Sequence, residues 1–173
     1  MLTAFSSARR KWIVCLSVIC GGILIDRLTK WLAAEFLSPV GSVPLWRGVL
    51  HLTYVENRGA AFGMLSGRRW IFMTVSVIGI ALFSAYLIFQ KKLSVLTCVS
   101  LSLVISGGIG NMIDRIALGY VVDFIDFALI DFAVFNGADS FVCVGAALLI
   151  LSLILEYTAE RRAQKQRDKG EEQ

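Results

Sequence analysis

The sequence predicts an all-α membrane protein of four transmembrane helices, with a small extracytoplasmic β-containing segment between helices 1 and 2. Three observations carry that prediction. The 173-residue chain is 57% hydrophobic, with a mean hydropathy of +0.72 and only 17% charged residues, which is too apolar for a soluble domain. Two runs, 70–89 and 93–113, contain no Asp, Glu, Lys or Arg, and each reaches the ~20 residues a helix needs to cross a bilayer. Finally, Asp114, Asp123, Asp126, Asp131 and Asp139 are packed between hydrophobic stretches, and charge concentrated at a membrane boundary marks chemistry.

The first span is read as 12–32. The apolar run 12–25 is short, but helical spacing resumes through Leu28, Trp31, Leu32, Ala33, Phe36 and Leu37 after Asp26 and Arg27. A cleaved signal peptide is the competing reading, since Arg9, Arg10 and Lys11 precede the apolar run. The continued helical pattern and the lack of a convincing small-x-small site oppose it.

Segment 38–69 is punctuated by Pro39, Gly41, Pro44, Gly48, Gly59, Gly63 and Gly67, so it is not one long helix. Within it, 49–55 is rich in β-branched and aromatic residues and reads as a short outer-surface strand. Trp46 and Trp70 suit the membrane interface. Span 2 (70–89) and span 3 (93–113) are joined by only Gln90, Lys91 and Lys92, a tight hairpin between antiparallel neighbours. The connection 114–139 alternates its acids with Phe124, Ile125, Phe127, Phe132 and Phe135, the pattern of a stretch lying in the interface. Span 4 is 139–157. Residues 1–158 then form one membrane-embedded catalytic domain, and 159–173 a basic cytoplasmic tail.

Four crossings put both termini on one side, with ten Lys and Arg residues against seven on the other. By the positive-inside rule the termini are cytoplasmic and the acidic cluster faces outward. Cys15, Cys20, Cys98 and Cys143 fall inside spans and read as small buried hydrophobes, without disulfide or zinc spacing. The basic tail reads as a solvated segment, with no nucleic-acid partner implied.

His51 is the only histidine, and no serine sits in a nucleophile-elbow pattern, which disfavours Ser-His and Cys-His catalysis. The patterns of a metal site are missing as well, so neither metal nor cofactor is expected. Two carboxylates close together remain: they share a proton because both cannot ionise, and so offer a base and an acid at once. The residues alone leave open which two aspartates meet. Asp139 also fits a helix cap, Asp114 beside Arg115 and Asp26 a turn from Lys30 fit ion pairs, and Asp126 and Asp131 fit solvated positions. A small proton-coupled transporter and a noncatalytic scaffold packed through Gly107, Gly108 and Gly110 are the rival functions.

Several motifs coincide: Ile25-Asp26-Arg27-Leu28-Thr29-Lys30, Asn57-Arg58-Gly59-Ala60-Ala61-Phe62-Gly63, Gly110-Asn111-Met112-Ile113-Asp114-Arg115, Val121-Val122-Asp123-Phe124-Ile125-Asp126-Phe127 and Phe135-Asn136-Gly137-Ala138-Asp139-Ser140. Together, and in this order, they resemble the lipoprotein signal peptidase family, signal peptidase II. The resemblance implies a bacterial inner-membrane aspartic endopeptidase, working with membrane lipids at the outer face and expected as a monomer. It removes signal peptides from prolipoproteins, cutting before the cysteine that carries a diacylglyceryl group. It maps the catalytic pair onto Asp123 and Asp139, and site-supporting roles onto Asn57, Gly59, Asn111, Asp114, Arg115 and Asn136. Gly63 joins Gly59 as a point where the outer loop approaches substrate, while Asp26 and Lys30 look structural. The chain departs from the family at Ser106-Gly107-Gly108-Ile109-Gly110-Asn111, where only small residues are exchanged and close helix packing survives, and in lacking a proline before Phe135-Asn136.

Overall fold

The computed structural model describes residues 8–59 and 68–171. Helix α1 (Ala8–Leu32) runs into a π-helical turn (Ala33–Leu37), followed by strands β1 (Ser42–Trp46) and β2 (Leu50–Asn57). Helices α2 (Arg69–Phe89) and α3 (Val95–Ala117), strand β3 (Val121–Asp126), a short 3-10 turn (Ala128–Ile130) and α4 (Gly137–Glu171) complete the order. Among the described residues, four helices are long and apolar enough to cross a membrane, and the protein is a multi-pass membrane protein.

α3 is the hub. Over its most apolar stretch 56% of residues are buried, against 17%, 6% and 17% for α1, α2 and α4, whose other faces are apolar and outward. Its inward positions are small: Ser100, Ser102, Ser106, Gly107 and Gly110 are buried, and in a bilayer such residues let helix backbones approach. A Cβ on Gly107 would strike the carbonyl oxygen of Ala138 on α4, and one on Gly110 would lie 2.5 Å from Asp26 Oδ2 on α1. The glycines are what allow Asp26 to reach beneath the start of α4. Cys15, Leu87, Leu93, Cys98, Leu101 and Ile105 form the apolar core at the opposite end.

The three-stranded antiparallel sheet has the order β1-β2-β3. The expected strand between spans 1 and 2 is present as β2, but the sheet draws its third strand from the last connection, whose sequence pattern is that of an interfacial stretch. Tyr120, Val122 and Phe124 point to one face, where they pack with Leu52 and Tyr54 against Ala33 and Leu37 of the π turn. Period-two alternation turns Asp123 to the other face. The chain then doubles back: Phe124 and Ile125 N–H donate to the Phe135 carbonyl at 3.0 and 2.8 Å, and Phe135 N–H donates to Ile125 O at 3.0 Å. This return sets the first residues of α4 beside β3.

Other expectations shift. α3 continues to Ala117, so Asp114 and Arg115 stand on a helix rather than in the connection. Cys15 and Cys98 are buried, whereas Cys20 and Cys143 are exposed, Cys143 on the wall of the cavity described below. The basic segment at 159–171 continues α4 without a break, exposed from 161 to 168.

Candidate active site

α4 starts with a reciprocal cap. Asn136 Oδ1 accepts from the Asp139 N–H and Asp139 Oδ2 accepts from the Asn136 N–H, both at 3.1 Å. This is a capping box with aspartate in the acidic position. The cap reading of Asp139 therefore holds in a modified form: Asn136 is the cap residue and Asp139 its partner three residues on. Asp26 Oδ1 takes a further N–H of the first turn, from Ala138 at 3.2 Å.

Asp123, 2% exposed, is held on β3 by two amides. Asn136 Nδ2 donates to its Oδ1 at 2.6 Å and Asn57 Nδ2 to its Oδ2 at 2.8 Å. Asp139 Oδ1 accepts from Asn111 Nδ2 at 2.7 Å. Asn136 thus bonds both carboxyl groups, one through its side chain and the other through its backbone. Both line a cavity of about 600 Å³ shared with Asn57, Gly59, Arg115, Phe135 and Ser140. Burial pushes Asp123 up to about 6; the charge of Asp139 adds to this, while the bonds from Asn57 and Asn136 and the charge of Lys30 oppose it. The positive charge of Arg115 also acts on both carboxylates, and its guanidinium lies over the Phe72 ring at 5.3 Å.

Beneath the cavity is a buried ionic cluster. Lys30 Nζ lies 3.1 Å from Asp26 Oδ2 and 2.9 Å from Asp114 Oδ2, and Arg27 Nη2 is 3.2 Å from Asp26 Oδ2 and 2.6 Å from Asp114 Oδ1. Two cations balance two anions, as a low-dielectric setting demands. Asp26 and Lys30 do pair as read. Asp114 pairs across helices with α1 instead of with Arg115, because Arg115 turns to the cavity and donates to its own helix at the Asn111 carbonyl, 3.4 Å away. Asp114 Oδ2 also accepts from Val122 N–H at 3.3 Å, anchoring β3 next to Asp123.

Of the residues singled out from sequence, Asp123, Asp139, Asn57, Gly59 and Arg115 line the cavity, and Asn111 and Asn136 hold its carboxylates. Asp114 supports from below. Asp126 instead accepts from Thr53 at 2.8 Å, and Asp131 is an exposed turn residue with φ 48°. Gly63 lies outside the described residues. Sequence reading missed that Lys30 reaches Asn111, at 2.8 Å; the available signal was its charge inside a span. His51 accepts from Gly48 N–H at 3.2 Å, in the hairpin between β1 and β2.

Two acids from different elements thus line one cavity at the mouth of the helix bundle, each held by amide donors. Known proteins match the chain closely. The family model described as signal peptidase (SPase) II covers residues 6–155. The lipoprotein signal peptidase of Caldanaerobacter subterraneus is 49% identical over 73% of this chain and 86% of its own length. That of Halothermothrix orenii is 47% identical over 76% and 88%. A solved bacterial membrane enzyme structure superposes with a TM-score of 0.76 at 29% identity, covering 92% of this chain and 95% of that one. With family model, relatives and fold in agreement, the chain belongs to the signal peptidase II family of membrane proteases.

Proposed function

We propose that this chain is an aspartic endopeptidase that cleaves signal peptides from prolipoproteins just before the diacylglyceryl-modified cysteine, with Asp123 and Asp139 as its catalytic residues. The observation that carries this reading is the hydrogen bonding of both carboxyl groups to Asn136 at the wall of one cavity. The two acids share one proton. Asp139 takes a proton from water as the new C–O bond forms, while Asp123 gives its proton to the carbonyl oxygen. The tetrahedral diol then collapses: the proton on Asp139 passes to the departing nitrogen as C–N breaks, and a diol hydroxyl returns a proton to Asp123. Atoms balance, and the dyad ends as it began.

Asn57, Asn111 and Asn136 hold the carboxylates, and Arg115 and Gly59 face the substrate path. The substrate's signal helix lies among the spans with its acyl chains toward the bilayer. The excess of basic residues on the terminal side supports cytoplasmic termini and an outward-facing site in the inner membrane. The enzyme works as a monomer.

Purified protein in detergent, given a diacylated prolipoprotein and an unlipidated control, tests this reading, with a chelator in a parallel sample. The expected result is chelator-resistant cleavage of the lipidated form alone. Equal cleavage of the unlipidated control, or loss of activity to the chelator, overturns it.

A further inference from the structure

Three asparagines present N–H donors to the two carboxylates, and what holds each amide in that orientation differs. Asn57 Oδ1 accepts from the Gly59 backbone N–H at 2.9 Å, leaving Nδ2 for Asp123. Asn136 Oδ1 accepts from the Asp139 backbone N–H, leaving its Nδ2 for Asp123 likewise. A backbone N–H cannot reverse, so the main chain itself fixes those two amides.

Asn111 has no such lock. Its Oδ1 faces side chains only, Lys30 Nζ at 2.8 Å and Asn136 Nδ2 at 3.1 Å. Lys30 carries three N–H donors and nothing that accepts, and all three are directed, to Asn111, Asp26 and Asp114. Its side chain is 3% exposed, so it is tethered as well as buried. Turned by 180°, the Asn111 amide would set its NH2 against an ammonium and its carbonyl against the Asp139 carboxylate.

We propose that Lys30 is a positioning residue: by holding the Asn111 amide in one orientation it ensures that Asp139 meets only a donor, and so keeps Asp139 as the ionised half of the dyad. This rests on the dyad reading above. Among the described residues, the charged groups around Asp139 are Lys30, Asp26 and Arg27 from α1, Asp114 and Arg115 from α3, and Asp123 from β3, and of these only Lys30 hydrogen-bonds the amide that touches Asp139. Without the ammonium, only the longer 3.1 Å bond from Asn136 Nδ2 opposes the turn; the turned amide offers a carbonyl to a protonated Asp139, and the proton settles on the wrong acid.

The test is the pH profile of prolipoprotein cleavage by Lys30→Met combined with Asp26→Asn, which keeps the ionic cluster neutral and retains an acceptor for Ala138 N–H. The acid limb of kcat should move up by about one pH unit, with kcat falling about tenfold at the wild-type optimum and KM changing less than about twofold. In an Asn111→Ala background the same pair of changes should cost little more, since Lys30 acts through Asn111. An acid limb in its wild-type place, with activity lost only in step with melting temperature, or full additivity with Asn111→Ala, overturns the proposal. If the double variant does not fold, Asn111→Asp answers instead: paired with Lys30, it presents Asp139 with an acceptor, and an unmoved acid limb again overturns it. Asp123→Asn and Asp139→Asn run in the same assay separate the two claims, because wild-type turnover by either removes the dyad itself.

Discussion

Two buried polar clusters tie α3 to α4, one at each end of the bundle, and they are built in opposite ways. At the end away from the sheet, Ser94 and Thr97 hydroxyls lie 2.7 Å apart, Ser152 reaches them at 3.1 and 2.8 Å, and Thr97 donates to Glu156 Oε1 at 3.0 Å. Hydroxyls both give and accept, so each rotates to satisfy the next, and the surplus donor ends on Glu156, which Ser152 also reaches at 3.3 Å. At the sheet end the donors are directional, being three backbone N–H groups, three amides, an ammonium and a guanidinium. They converge on carboxylates that only accept, with lone pairs left toward a cavity. Interchangeable hydroxyls hold helices together; fixed donors converging beside a cavity leave chemistry to be done.

The contrast breaks most sharply under neutralisation. Asp139→Asn or Asp123→Asn should each lower kcat by at least about 10³-fold while the protein stays folded and membrane-inserted, since each removes half of the acid-base pair. Single-turnover assays of the purified variants read this directly; activity within tenfold of wild type in either would erase the distinction between the two ends.

A pH series sharpens the comparison. The working dyad holds one proton, and Asp123 is pushed up to about 6 chiefly by burial. Above that pH the proton leaves, so kcat/KM should fall toward tenfold per unit on the alkaline side. A profile flat from pH 6 to 9 would place the essential proton elsewhere.

The smallest effect belongs to the hydroxyl cluster. Ser152→Ala should leave kcat unchanged and cost about 0.6 to 1.7 kcal/mol of stability, the range for hydrogen bonds between membrane helices. Unfolding in mixed detergent measures it, and a fall in turnover without loss of stability would give that cluster a catalytic role it lacks here.

The helices were legible because a bilayer demands long uncharged runs, and no other solvent writes so plain a pattern. The need for paired acids was legible from an inventory with one histidine and no placed nucleophile, and the choice of Asp123 and Asp139 from the motifs that resemble the signal peptidase II family. What escaped was partnership. Segment 121–126 reads as part of an interfacial stretch, and only its pairing with β2 makes it a strand. Asp114 has Arg115 beside it in sequence, yet ion-pairs with Arg27 and Lys30 across the α1–α3 contact.

By itself, then, the sequence determined which segments enter lipid and which chemical groups accompany them, because hydropathy and composition act locally along a chain. Which groups meet was decided by tertiary structure alone. Lys30 and Asn111 are 81 positions apart, and they touch because Gly107 and Gly110 let three helices close to a distance at which a buried charge must find its partner or not be buried at all.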